Sequence, residues 1–322
     1  QMRKLLALLL TAMLLIALVG CSDTDTADES DEVSVAEEPI GTVTVGSKID
    51  TEGEVLGQMI MQLLDAGGFD VVDQIKTGTT DVVRAALETG EIDIYPEYTG
   101  TAAWMFTDAE ITPEVSKDAQ ALYDAAKEYD EGNDIVWLGR APANNTWAIA
   151  IPGELAEANA IETIGDWADW IGEGGDVKLV GSQEFVDRED ALKAAEEGYG
   201  FELTADQLII LAGGNTAQSE SAAANGTDGA NAAMAYGTDG NLSALGLVVL
   251  RDPMSVWAVY EPAPTVRADV LEMYPEIADM LDPVFADLTL EILQELNGRV
   301  SVNGEAAADV VHEFLTDNGY VG

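Results

Sequence analysis

Histidine and cysteine are almost missing: the 322-residue chain has one of each, His312 and Cys21. Without a Cys/His cluster there is no basis for a zinc centre, and no spare thiol can serve as a nucleophile. His312 falls in an acidic helical stretch near the C-terminus and reads as a solvated surface residue. The segment "GNTAQSES" offers serines but no histidine to complete a triad. No GxGxxG follows a strand and no P-loop occurs, so neither a metal nor a cofactor is expected. Positive charge is equally scarce, with 14 Lys plus Arg against 60 Asp plus Glu and a formal net charge of −46. Such a surface repels nucleic acid and anionic lipid, which excludes both as partners. The acids are spread along the chain rather than bunched, the pattern of a halophile that keeps its surface solvated. In salt of about 1 M the Debye length shrinks to roughly 3 Å, so long-range steering by this charge is lost. Among so many acids a carboxylate pair identifies nothing, and an enzyme working with its carboxylates stays open as the other class of function.

Long apolar runs are also few. Leu5 to Val19 form one of signal-peptide length behind Arg3 and Lys4, too short for a comfortable membrane span. The run ends in "LVGC", which resembles a lipobox whose cysteine, here Cys21, is lipidated and becomes the new N-terminus. Residues 1–21 are therefore expected to be a lipoprotein signal peptide, and the mature protein to be extracytoplasmic and anchored to the cell membrane by lipid alone. Residues 22–41, rich in acids and without a base, read as a disordered tether. With its cysteine used as an anchor, the body has no disulfide and must be held by core packing.

From residue 42 short apolar strands alternate with amphipathic helices. "TVTVG" (42–46) predicts a strand, 52–67 a helix with apolar residues at three- and four-residue steps, then "FDVVDQI", "TTDVVRAALETG" and "IDIY" continue a βαβαβ series. A helix over 113–131 and the strand "DIVWL" (134–138) complete one unit. A second unit begins near residue 146 with "TWAIAI", "IGDWADWI", "VKLVG" and "REDALKAAEEG", and closes with the strand 245–250. Residues 267–319 read as helical, broken at Pro275 and Pro283. "RAALETGEIDIYPEYTG" and "SAAANGTDGANAAMAYGTDG" echo one another, each running from a small-residue helix through Gly to a short strand and a tyrosine. The fold class is α/β, a parallel or mixed sheet flanked by helices, and the echo fits two similar lobes. Open sheets of this kind bind ligands beyond the C-terminal ends of their strands, which here face one another across a cleft.

Several residues fall at such positions. Lys48 in "GSKIDTE" is one of few lysines and follows the first strand. "YTGT" opens a helix, with Thr99 or Thr101 as candidate N-cap. "ANNTWAIAI" sets Asn145 and Trp147 at the entry to the second unit, "FVDRED" places Arg188 ahead of a helix, and "AYGTDGN" and "WAVYEPAP" supply Tyr236 and Tyr260. Singly, each aromatic is more often core than site; together they share one kind of place, just after strands and beside Gly, Pro, Asn or Thr.

These segments, with "VGSKIDTEGEVLGQMIMQLLDAGGFDV", "TGTTDVVRAALETGEIDIYPEYTGTAAW", "AYGTDGNLSALGLVVLRDP" and "YEPAPTVRADVLEMYPEI", resemble the glycine betaine/choline-binding lipoproteins of osmoprotectant ABC importers over nearly all of 42–322. The resemblance implies a two-lobed type II periplasmic-binding-protein fold, each lobe a mixed sheet flanked by helices, with lobe 1 over 42–145 and 266–322 and lobe 2 over 146–265. It implies a receptor that passes a small quaternary ammonium ligand to the importer's permease. The family's cage of four aromatic side chains falls on Tyr98, Trp147, Tyr236 and Tyr260, with Trp147 where tyrosine is commoner. Its carboxylate-binding groups fall on Lys48, Thr101 and Arg188, and Asn145 stands where relatives can carry Asp. Asp81 sits where members differ in preference between choline and betaine. Two cations in the site favour glycine betaine or a similar carboxylated betaine over choline; a choline, carnitine or proline betaine receptor of the same fold is the alternative.

Overall fold

A computed structural model describes residues 38–106, 111–213 and 215–322. The expected signal segment, Cys21 and most of the tether lie outside the described residues. The last tether residues belong to the folded body instead: the Ile40 amide donates to the Gly68 carbonyl, and the Gly41 carbonyl accepts from the Asp70 amide. No helix among the described residues is long and apolar enough to cross a membrane.

Strands β1 (Thr42–Lys48), β2 (Asp70–Gly78), β3 (Ile94–Tyr98), β4 (Ile135–Trp137), β5 (Trp147–Pro152), β6 (Leu179–Ser182), β7 (Leu208–Leu211), β8 (Ala232–Tyr236), β9 (Leu247–Val249) and β10 (Pro262–Arg267) form two five-stranded sheets. The first has the order β2-β1-β3-β10-β4 and the second β7-β6-β8-β5-β9. In each, three strands run parallel and the fourth in the order runs against its neighbours on both sides. Helices flank both sheets, giving the two-lobed α/β architecture. The helix Thr51–Ala66 shows how the pattern works: Asp50 caps it by accepting from the Gly53 amide, and Val55, Leu56, Met59, Ile60 and Leu64 are fully buried. Each such side chain contributes about 1.5–3 kcal/mol relative to exposure. The two echoing segments fall on equivalent places. Helix Thr80–Thr89 leads into β3 and helix Thr216–Asn225 into β8, the third strand of each order, and both strands end on a tyrosine.

Four expectations need correction. The helix expected over 113–131 is two pieces, Pro113–Ser116 and Ala119–Glu131, because Asp118 turns outward to cap the second. Pro283 does not break the C-terminal region but lies inside the helix Glu276–Asp287; the break follows, where Thr289 caps Leu290–Ser301. Neither Thr99 nor Thr101 caps the helix Thr99–Met105, whose N-cap position is Tyr98. Finally, β10 was hidden by its two prolines, and the boundary expected between 265 and 266 falls inside this strand of the first sheet.

A proline in a central strand removes a ladder hydrogen bond, and helix Ala119–Glu131 supplies a substitute. The Pro264 carbonyl accepts from the Leu138 amide at 2.9 Å, but Pro264 has no N–H to return to the Leu138 carbonyl. Tyr123 fills that position, its hydroxyl donating to the Leu138 carbonyl at 2.6 Å.

The two lobes are joined around Glu52. Its buried carboxylate accepts from the Tyr98 hydroxyl at 3.0 Å and from Asn145 Nδ2 at 2.8 Å and Asn297 Nδ2 at 2.6 Å. Asn145 also donates to Thr238 Oγ1 and Asn297 to the Thr238 carbonyl, which ties the turn after β8 to lobe 1. Gly240 lets that turn lie directly on the backbone of helix Leu290–Ser301, where any side chain would meet the Gln294 carbonyl. Among the described residues no base pairs with Glu52. Burial pushes its carboxyl up to about 7, its hydrogen bonds offsetting only part of the effect.

Two outcomes follow from these contacts. Tyr123→Phe strands the Leu138 carbonyl and should lower stability by about 1–3 kcal/mol in urea unfolding. For Glu52 the folded state holds its proton more tightly than the unfolded chain, so its contribution is fully present below the ordinary value of 4.5 and is lost as pH rises towards about 7. The loss is on the order of 3 kcal/mol. Unfolding of wild type and Glu52→Gln between those pH values should show this fall in the wild type and its removal in the variant.

Candidate functional site

The cleft between the sheets is walled by Lys48, Ile49, Asp50, Gly78, Thr79, Thr80, Tyr98, Thr101, Asn145, Trp147, Glu184, Arg188, Tyr236 and Tyr260. Its free space is about 50 Å³, where a single water needs roughly 10–15 Å³ on the same measure. The room suits a small molecule.

Strand pairing delivers the rings. Tyr98 is the last residue of β3 and pairs with Pro262 at the start of β10, so Tyr260, two residues earlier, emerges beside it. In the second sheet Tyr236, the last residue of β8, pairs with Trp147, the first of β5. The Trp147 ring centroid lies 5.1 Å from that of Tyr236 and 6.1 Å from that of Tyr260, the latter edge-on. Phe185 backs Trp147 at 5.3 Å. The glycine of "YTGT" has its reason here: the Tyr260 ring lies flat on Gly100, and a side chain at that position would run into it. Trp147 Nε1–H is buried beside the Tyr260 hydroxyl without a well-aligned acceptor.

Both expected cations line the cleft, each already paired. Lys48 Nζ lies 2.7 Å from Glu97 Oε1, donates to Thr101 Oγ1 at 3.3 Å and sits 5.0 Å from the Tyr98 ring centre. Burial raises the affinity of Glu97 for a proton, but Lys48 and the bonds from the Tyr95 hydroxyl and Tyr98 amide outweigh it and hold this carboxylate below its ordinary range. Thr101 thus serves as an acceptor for Lys48 rather than as a cap. Arg188 grips Asp190 through Nε and Nη2, donates to the Tyr260 hydroxyl at 2.8 Å, and lies between the rings of Trp104 and Trp147 at 4.2 and 5.3 Å. Its Nη1 approaches Glu184 no closer than 3.9 Å, beyond hydrogen-bonding distance. Lys48 keeps one of its three N–H groups and Arg188 the Nη1 pair for a further acceptor.

Eight expected residues, Tyr98, Trp147, Tyr236, Tyr260, Lys48, Thr101, Arg188 and Asn145, therefore meet in one cleft. Asp81 does not: it is exposed on the first turn of helix Thr80–Thr89, which turns Thr80 towards the cleft and Asp81 to solvent. Reasoning from sequence missed Asp50, Glu184, Thr79, Thr80 and Trp104. Glu184 accepts from the Thr80 amide at 3.3 Å and hydroxyl at 3.4 Å, so with Arg188 on Trp104 it links the lobes across the opening. Burial raises the Asp50 carboxyl, with the Gly53 amide and Lys48 opposing. The helix-cap position of Asp50 was a usable signal; for Glu184, one acid among sixty, there was none.

Residues 41–317 match the OpuAC family, described as the substrate binding domain of ABC-type glycine betaine transport system. The chain is 48% identical over 289 residues to the glycine betaine-binding protein YehZ of Escherichia coli, covering 89% of this chain and 94% of that one. It is 32% identical to a glycine-betaine-binding protein of Pseudomonas aeruginosa over 86% of this chain and 88% of that one. Among solved structures, apo YehZ from Escherichia coli is 49% identical and superposes with a TM-score of 0.65, covering 87% of this chain and 99% of that one. Matched from β1 to the C-terminal helices, this chain belongs to the OpuAC family of substrate-binding domains of ABC-type glycine betaine transport systems.

Proposed function

We propose that this chain is a receptor for glycine betaine, closing two lobes on it and passing it to the permease of an ABC importer. One observation carries the reading: four aromatic rings from the strand ends of both sheets converge on a small cleft that also holds Lys48 and Arg188. A trimethylammonium group has no N–H to donate, so acceptors gain little from it. Aromatic faces attract the charge and match the methyl surface, at about 0.5–2 kcal/mol per ring according to desolvation. Tyr98, Trp147, Tyr236 and Tyr260 would receive that end. The spare donors of Lys48 and Arg188 would hold the carboxylate. The YehZ relative, named for binding glycine betaine, supports the same ligand.

The charge balance of −46 supports a role in high salt, where importing a compatible solute offsets osmotic stress. The "LVGC" segment supports anchoring through Cys21, with the acidic tether holding the receptor off the membrane.

Calorimetric titration of the soluble 41–322 fragment in high salt with glycine betaine, choline and proline tests the ligand. Binding should be tightest for glycine betaine; no binding of any quaternary amine overturns the reading, and tighter binding of choline overturns the carboxylate assignment alone. Trp147→Ala and Tyr260→Ala should each weaken binding by more than about tenfold, the loss of roughly 1.4 kcal/mol; unchanged affinity would make that ring packing only.

A further inference from the structure

Beneath the turn that follows Tyr236 lies a pair of carboxyl groups, Glu220 and Asp239, neither of which lines the cleft itself. Glu220, on helix Thr216–Asn225, is fully buried, and neither of its carboxyl oxygens has a well-aligned hydrogen-bond partner. A buried carboxylate without a donor is strongly disfavoured. Asn241 offers only a partial donor; the other group beside Glu220 is a second acid, Asp239, which Thr216, one turn earlier on the same helix, already bonds. Asp239 already accepts from Thr216 Oγ1 at 2.9 Å and from the Tyr236 amide at 2.6 Å, the pattern of an ionised carboxylate. A proton on Glu220, donated to Asp239, satisfies both groups; burial and the Asp239 charge act together to keep it there.

The same Asp239 closes the turn on itself, its amide donating to the Tyr236 carbonyl at 3.2 Å while its carboxylate holds the Tyr236 amide. We propose that Glu220 is a positioning residue of the ligand site: as a neutral acid it donates to Asp239, and Asp239 so held fixes the turn that sets the Tyr236 ring in the cleft. The proposal rests on the reading of Tyr236 as a cage wall. Among the described residues no base faces the pair. Of the strands packed on this helix, β5, β6 and β8 carry no ionisable side chain but Tyr236. Asp228 in the turn Thr227–Gly229 is exposed, Asn241 borders Glu220, and Asp50 acts on Asp239 from lobe 1.

Glycine betaine has no group that titrates in the alkaline range, so its binding reports on the protein. Wild type, Glu220→Gln and Glu220→Leu are titrated with it from about pH 7 to about pH 10, folding being checked by circular dichroism. Glu220→Leu, which removes the donor, should weaken binding at about pH 7 by about fivefold or more, and Glu220→Gln, whose amide can donate to Asp239, should restore most of that loss. As pH rises the wild type should lose affinity when Glu220 ionises beside Asp239, whereas Glu220→Gln should show no such loss. A parallel fall in wild type and Glu220→Gln overturns the proposal, as does a folded Glu220→Leu that binds like wild type. If the wild type binds no quaternary ammonium at any pH, the cage reading fails and takes the positioning role with it. The shared proton is then judged from urea unfolding, where wild type but not Glu220→Gln should lose stability as pH rises from about 5 to about 10; equal slopes overturn it too.

Discussion

Main-chain pairing at two strand ends decides where every aromatic wall of the cleft can stand. Tyr98 opposite Pro262 and Tyr236 opposite Trp147 are the last paired positions of their ladders, so the side chains there meet the gap between lobes rather than another layer of protein. Because both sheets reverse direction at the same place in their order, the two lobes deliver rings to one point from opposite sides. The surrounding oddities follow from that arrangement. Gly100 exists to let the Tyr260 ring lie flat, Gly240 to let the β8 turn reach helix Leu290–Ser301, and Tyr123 to replace the N–H that Pro264 lacks.

Scarcity of positive charge governs the electrostatics. Among the described residues three bases are buried, and each is held by an acid: Lys48 by Glu97, Arg84 by Asp130, and Arg188 by Asp190. Arg84 binds Asp130 through two bonds while the Trp137 indole donates to the same carboxylate, pinning helix Thr80–Thr89 to β4 and its preceding helix. Buried acids outnumber these partners; Glu261 takes Arg140 from the half-buried layer, and the rest are met without bases. Glu52 is held by amide and phenol donors, and Glu220 faces Asp239. Extra carboxylates on the exterior are solvated at little cost, but those inside must find neutral donors or keep their protons.

Much of this was legible in the sequence, for identifiable reasons. The alternating strand and helix pattern, the two echoing segments and the convergence of aromatics after strands all depend on local periodicity and turn residues, which a single sequence displays. Lys48 and Arg188 stood out because bases are rare, and the same arithmetic concealed Asp50 and Glu184 among sixty acids. β10 stayed hidden because prolines argue against a central strand, and its rescue by Tyr123 comes from a distant helix. Asp81 was misplaced by one residue's worth of helix rotation: Thr79 and Thr80 line the cleft, and the next side chain points outward. What the sequence could not convey was pairing. Nothing local says that Lys48 meets Glu97 or that Glu52 joins Asn145 to Asn297.

Pairing changes how the cleft can choose its ligand. If Lys48 and Arg188 were free cations, the site would carry strong positive charge and reject the trimethylammonium end as firmly as it drew in the carboxylate. With Glu97 and Asp190 bound to them, they act as directional donors with little net charge, each retaining N–H groups for one more acceptor. Asp50 and Glu184 on the same wall tilt the local balance towards a cation. A zwitterion satisfies both features at once, its charge at one end and its acceptor at the other, whereas choline leaves the spare donors of Lys48 and Arg188 without an anion. Arg188 joins the two demands, since the guanidinium that keeps a free edge for the ligand also lies between Trp104 of lobe 1 and Trp147 of lobe 2. Holding the ligand and holding the lobes together are therefore tasks of one side chain, which is how occupancy of the cleft would be converted into closure.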